Sequence, residues 1–335
     1  MIPAEKHHPD RRRRAVLGAG VGLAAGAGFA LPARAQEAFP SRPIRIVVGF
    51  VAGGVSDVLA RLVAPELQKA LGVSVLVENR PGASGMIAAG QVAKLPADGY
   101  TLYMAPNTHL INHAINPNTP YDSVKDFTGI TLLTTTPNML VVKDDSPYRT
   151  VADFVAAARA KPGELSYATS GIGTTVHFAG ELLAFQAGIK LNHVPFKGAN
   201  QSIEAVVAGH VPASVSAVSS SIGFIRGGRV RVLGVMAEKR SALLPDVPTF
   251  RELGFKDLLS ETWLGLLGPA GMPPAVSGRL NAELTRILQT AEFREKVLNT
   301  GNEPVGLGLA AFQAQMAREL DGYIALAKSA AIKAQ

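Results

Sequence analysis

The sequence predicts an α/β protein of two doubly wound domains, and three observations carry that expectation. Short β-rich runs alternate with longer stretches of helical periodicity, as in strand–helix–strand units whose parallel strands carry helices on both faces. The alternation falls into two blocks followed by a C-terminal return. The chain has 335 residues, 47% hydrophobic and 18% charged, which suits about two cores and is far from a disordered composition.

In order, RIVVGF (45–50) reads as a buried strand, followed by the Gly53-Gly54 turn and a helix over 56–71. A strand over 74–78, a helix over 83–94 and a strand over 100–105 complete the first block. The second begins after Thr150, with helices over 151–160, 174–186 and 201–208. Its strands fall at 165–169 and 191–195, then near 211–218 and 230–236. Segments 130–142 and 261–267 are expected to cross between the blocks. Helices over about 274–290 and 310–333 should pack back on the first. The predicted domains are 36–137 with 256–335, and 138–255.

The formal charge of +7 resembles a nucleic-acid signal until its position is considered. Residues 1–35 hold Lys6, Arg11, Arg12, Arg13, Arg14 and Arg34 against Glu5 and Asp10, leaving 27 basic and 24 acidic side chains in the rest of the chain. Those are scattered, apart from Arg226, Arg229 and Arg231, so the concentrated phosphate-neutralising stripe of a nucleic-acid surface is missing. With no cysteine, disulfides, thiolate metal sites and cysteine nucleophiles are excluded. A basic block at 11–14, an Ala/Gly-rich uncharged run over 15–32 and Ala33-Arg34-Ala35 describe a secretory signal peptide cut near Ala35-Gln36. Arg13-Arg14 before Ala15, Val16 and Leu17 suits the twin-arginine route. No later stretch is apolar for long enough to cross a bilayer, so a soluble exported protein is expected.

Two similar devices point to a ligand. Phe50-Val51-Ala52-Gly53-Gly54-Val55-Ser56-Asp57 and Ser170-Gly171-Ile172-Gly173-Thr174-Thr175-Val176-His177 each lie between a strand and a helix, one per domain. A helix N-terminus leaves N–H groups without partners and carries about half a positive charge. Glycines let a ligand approach the backbone. Such a turn is an anion site made of main chain, with Ser56 and Thr174 adding hydroxyls; two of them could grip one carboxylate. Read singly, each is also a tight turn with an N-capping hydroxyl. Neither is a nucleotide fingerprint: position 176 is Val where G-x-G-x-x-G needs glycine. Asp57, in the first helical turn, would repel an anion and is expected to brace the loop. His177 either lines the cleft or braces its turn.

Other candidates have plainer explanations. His109 and His113 stand four apart, but no third ligand completes a metal site, and Asn116-Pro117 soon ends any helix. Ser219-Ser220-Ser221 reads as a polar turn, since no G-x-S-x-G elbow occurs. Trp263, the single tryptophan, is expected in the core, with an interdomain position as the second reading.

From about residue 39 onward the chain resembles the Bug-type periplasmic solute receptors associated with tripartite tricarboxylate transport. The resemblance is carried by RPIRIVVGFVAGGVSDVLAR (42–61), VENRPGASG (77–85), LPADGYTLYM (95–104), YDSVKDFTGITLL (121–133) and YATSGIGTTVHFAGELL (167–183). It continues through HVPFKGANQSIEAVVAGHV (193–211), RVRVLGVMAEKRSALLPDVPTFRELG (229–254) and TWLGLLGPAGMPP (262–274). It implies a periplasmic-binding-protein-like Venus flytrap, two domains joined by crossing strands. It implies too that the glycine loops clasp a ligand carboxylate through amides, hydroxyls and ordered water. The positions implied are Phe50, Ala52, Gly53, Gly54, Ser56, Asp57, Ser170, Gly171, Gly173, Thr174 and His177. Two departures stand out. The proline frequent before the Gly-Gly pair is absent, which implies a more mobile first loop. The aspartate usual after Gly209-His210-Val211 is replaced within Pro212-Ala213-Ser214-Val215-Ser216-Ala217. That argues against an amino-group ligand and makes Ser216 and Ala217 determinants of what the pocket accepts.

The expectation is a monomeric, cofactor-free, non-enzymatic receptor for a small carboxylate, a di- or tricarboxylate or an aromatic acid. It would hand its ligand to membrane transport subunits or present it to a sensor protein. An exported α/β enzyme acting on a carboxylate is the rival; Asp57 and His177 are its obvious acid–base candidates.

Overall fold

The alternation becomes ten strands and ten α-helices among the described residues, 39–256, 258–329 and 332, of this computed structural model. The signal-peptide reading lies outside them. The chain begins with β1 (Ile44–Val48), α1 (Val55–Leu71), β2 (Val75–Asn79), α2 (Met86–Val92), β3 (Thr101–Pro106) and α3 (Thr108–Ile115). The long β4 (Phe127–Lys143) leads to α4 (Val151–Ala160), β5 (Ser166–Thr169), α5 (Thr175–Ala187), β6 (Asn192–Pro195) and α6 (Ala199–Val207). Next come β7 (Ala213–Ala217), α7 (Val218–Arg226), β8 (Val230–Val235) and β9 (Glu261–Pro269). The chain ends with α8 (Pro274–Gln289), α9 (Ala291–Asn299), β10 (Glu303–Leu307) and α10 (Leu309–Ser329).

The strands run in the order β2-β1-β3-β9-β4-β7-β5-β6, with β8 and β10 also paired to β4. Parallel pairing, as expected, holds at the two ends, β2-β1-β3 and β7-β5-β6. The centre is a correction: β3-β9, β9-β4 and the partners β7, β8 and β10 of β4 are antiparallel. A strand that returns from the second block to the first must run against its neighbours there. Periodicity identifies a strand but carries no direction for its partner.

Strand β4 changes partners at one point. Its residues 127–137 pair with β9, and 138–142 pair with β7. Pro137, at the change, has no N–H to place in a ladder. The buried Asn138 closes the gap instead. Its N–H donates to the Ser260 carbonyl at 2.9 Å, its Nδ2 to Ser260 Oγ at 2.8 Å, and its Oδ1 accepts from Thr262 Oγ1 at 3.0 Å. Its carbonyl accepts from Met236 N–H at 2.7 Å.

Apolar residues of β1 and α1 meet those of α8 in one core, including Ile46, Leu67, Leu280 and Leu284. Trp263, Tyr103, Phe127, Phe312 and Met316 form a second core, drawn from β9, β3, β4 and α10. Phe154, Tyr167, Leu183 and Phe250 fill the core of the other end. Each fully buried side chain of this size contributes about 1.5–3 kcal/mol. Trp263 is thus a core residue: it lies edge-on to Phe312 at 5.3 Å and donates from Nε1 to Glu319 Oε2 at 2.6 Å. The helices α3, α7 and α9 and the strand β10 were not expected, and Ser219, Ser220 and Ser221 lie within α7, not in a turn. The helix expected over 83–94 starts as a 3-10 turn at Ala83–Gly85 before α2.

Asn138→Ala removes two side-chain bonds at the partner change and leaves the half-buried Ser260 and Thr262 hydroxyls short of a partner. A loss of about 2–4 kcal/mol is expected, read as a lower denaturation midpoint at unchanged slope.

Candidate functional site

A cleft of about 820 Å³ opens where strands end and helices begin, the place where open α/β sheets bind ligands. Phe50, Ala52, Gly53, Gly54 and Ser56 line it from the first loop, Ser170 and Thr174 from the second, and Ser216 and Ala217 from the end of β7. The sequence had paired two turns; the fold brings more together. The start of α3 enters at Thr108, the start of α6 at Gly198 and Ala199, and that of α7 at Ser219 and Ser220. Five helix N-termini therefore border one cavity. The third strand–glycine–helix run, Lys197-Gly198-Ala199, was visible in the sequence but carries a single glycine.

The first loop is shaped by Gly53, whose φ of +82° suits a residue without a Cβ. Its N–H donates to Asp57 Oδ2 at 2.8 Å. Arg61 Nε donates to both Asp57 oxygens at 3.0 Å, and Asn79 Nδ2 to Asp57 Oδ1 at 2.9 Å and the Phe50 carbonyl at 3.1 Å. Burial would raise the Asp57 carboxyl, but the bonds from Arg61, Gly53 and Asn79 outweigh it and hold the group below the usual carboxylate range. Asp57 does not line the cleft; it is the brace behind the loop. Gly54 caps α1 without a side-chain bond, so the first amides of that helix keep no intrahelical or capping partner.

The second loop has its own brace. His177 Nδ1 accepts from Gly173 N–H at 3.3 Å, which leaves the ring proton on Nε2. The ring stacks on His193 at 4.0 Å, and His193 stacks in turn on Tyr167 at 5.0 Å. Thr174 Oγ1 donates to the Gly171 carbonyl at 2.7 Å, and Thr169 Oγ1 shares a hydrogen bond of 2.7 Å with His193 Nε2. Gly171, Gly173 and His177 shape the turn from behind and do not line the cleft. Burial, together with His193, lowers His177 to about 4, and burial lowers His193 to about 4. A helix N-terminus also disfavours a cation there.

Lys197 is the one charged side chain lining the cleft among the described residues. The other polar side chains of the lining are neutral hydroxyls and amides, including Ser216, Ser220, Thr262, Thr300 and Asn302. Unpartnered amides and an ammonium, with no carboxylate facing them, attract an anion and reject a second cation. The acid–base candidates Asp57 and His177 are both engaged behind their loops. The histidine pair on α3 is also occupied: His109 Nε2 meets the Ser123 carbonyl at 3.0 Å and His113 Nδ1 meets Ser123 Oγ at 2.8 Å. No cluster fit for a metal occurs among the described residues.

Crossing strands, two walls and a cleft of helix N-termini define a Venus-flytrap solute-binding fold. The chain belongs to the tripartite tricarboxylate transporter family of receptors, whose model matches residues 59–321. The periplasmic binding protein BugD is 28% identical, with 89% of this chain and 100% of that one covered at a TM-score of 0.77. R. palustris Rpa4515 with adipate is 33% identical over 88% of this chain and 99% of that one, at 0.77. MatC from Rhodopseudomonas palustris with bound malate is 29% identical over 86% and 99%, at 0.75.

The histidines make stability depend on pH. A ring held neutral to about 4 when folded, but protonating near 6.5 when unfolded, lowers stability as pH falls between those values. His109, His177 and His193 all act in that direction; Asp57, held below its ordinary value, adds its own loss only at more acid pH. Glu261 and Glu319, raised by burial, act the other way, so the histidine effect is read as a difference. Between pH 6.5 and 4 the melting temperature of the wild type is expected to fall more steeply than that of His177→Gln, and parallel profiles contradict this.

Proposed function

We propose that this chain is a periplasmic receptor that captures a small carboxylate in the cleft and delivers it to membrane transport subunits. The observation that carries the reading is the set of helix N-termini converging, with Lys197, on a cavity without facing carboxylates. The first turns of α1 and α5 form the clasp in this reading, with Ser56, Ser170 and Thr174 beside them. Asp57, Gly171, Gly173 and His177 hold the clasp in shape. The relatives with adipate and malate support a dicarboxylate, and the same clasp would take an aromatic acid. Residues 36–137 with 256–335 act as one domain and 138–255 as the other, turning about the crossing of β4 and β9. Ligand contacts to both walls bias the open–closed equilibrium by their differential affinity. No chemistry is performed on the ligand, and export uses the N-terminal signal peptide.

Thermal melting against a panel of small acids and their amides tests this. An acid at ~100 times its Kd adds about 2.7 kcal/mol, a shift of several degrees. The expected result is stabilisation by an acid, recovered unchanged, whose amide does nothing. Stabilisation by no acid, or turnover of one, overturns the reading. Gly53→Val forces a β-branched residue to φ +82°; it should abolish the acid shift while circular dichroism stays unchanged.

A further inference from the structure

Behind the cleft, one buried carboxamide joins three segments. Asn107 precedes α3, does not line the cleft and is 0% exposed. Its Nδ2 donates to the Glu261 carbonyl of β9 at 2.8 Å and to the Tyr323 hydroxyl of α10 at 3.1 Å. Its Oδ1 accepts from Thr175 Oγ1 of α5 at 2.8 Å. Thr175 is the first residue of α5, lines the cleft and is itself buried. Packing reinforces the contact: Phe178 lies edge-on to Tyr323 at 5.6 Å and shares an apolar cluster with Ile111 and Ala327. A Cβ on Gly173 would meet Ile115 Cδ1 at 2.7 Å. The second glycine loop and its helix thus lean on α3 and α10, elements of the opposite wall.

We propose that Asn107 is a positioning residue of the cleft, which through Thr175 fixes the N-terminus of α5 against the opposite wall. The residue type follows from the partners. Glu261 offers only a carbonyl acceptor here, so the group facing it must donate. The Thr175 hydroxyl then donates to an acceptor on the same side chain. Only a carboxamide supplies both at this length; aspartate would lose both donors. With α5 held in place before ligand arrives, less ordering remains to be done on binding. The inference rests on the carboxylate-receptor reading for its effect on affinity, but not for its effect on the free protein.

The test is a double-mutant cycle on the full chain, Asn107→Ala, Thr175→Val and the pair, with two readouts. Affinity for whichever acid stabilises the wild type should fall about three- to tenfold in each single variant, the size of one hydrogen bond. The pair should be no weaker than the worse single, because Asn107→Ala already removes the Asn107–Thr175 bond that Thr175→Val removes. Since Asn107 does not line the cleft, a loss there cannot come from a missing ligand contact. In the ligand-free protein, hydrogen exchange over 174–187 should speed up in both single variants, while the crossing strand β9 keeps its protection in Thr175→Val. Wild-type affinity in Asn107→Ala, additive losses, or unchanged exchange over 174–187 in Thr175→Val overturns the proposal. If Asn107→Ala does not fold, the exchange result on Thr175→Val decides alone. If no acid binds the wild type, the receptor reading falls and the exchange result still judges Asn107.

Discussion

At Pro137 the backbone of β4 has no N–H for either neighbour, and one residue later Asn138 donates to Ser260 and accepts from Met236 and Thr262. Every other feature hangs on that change of partner. On one side β4 belongs to the sheet of β1, β3 and β9; on the other it belongs to that of β5 and β7. The carboxyl ends of both parallel sets consequently face a shared gap, and so do the helices that start from them. Had the ladder continued unbroken, the loops after β1 and β5 would have had no cavity to border.

The gap is electrostatically one-sided because its acids are spent elsewhere. Asp57 stands only three residues past Gly54, yet its carboxylate turns back to Gly53 and Arg61. His177 likewise turns to Gly173 and His193. Both loops use the same economy: a side chain one turn into the helix restrains its glycine, leaving the earliest amides uncommitted. Positive potential comes from main chain and from Lys197, without an arginine.

Much of this was legible in the sequence where local chemistry speaks for itself. Helix α4 begins as read because Thr150 and Asp153 form a reciprocal cap, with Thr150 Oγ1 accepting at 3.1 Å and Asp153 Oδ2 accepting at 2.9 Å. The two glycine loops were found from strand–glycine–helix order, and the family resemblance added Phe50 and Ala52. Strand β10 was hidden because Pro304 and Gly306, both poor strand formers, sit inside it around a register shift. Helix α7 was hidden by its serines, which favour turns when read locally but here bond to Ser216 and the Ala217 carbonyl. Thr262, Thr300 and Asn302 reach the cleft from far along the chain, so no local signal could place them.

A binding surface made of peptide N–H groups has a consequence for how such receptors diversify. An amide cannot be mutated away, since every residue except proline carries one, so the proposed clasp is inherited with the backbone. Change is then confined to the side chains facing the rest of the cavity, such as Ser216, Ser220 and Thr300. A duplicated copy of this chain can drift to a new acid by altering those few hydroxyls while its grip on the acid group stays intact.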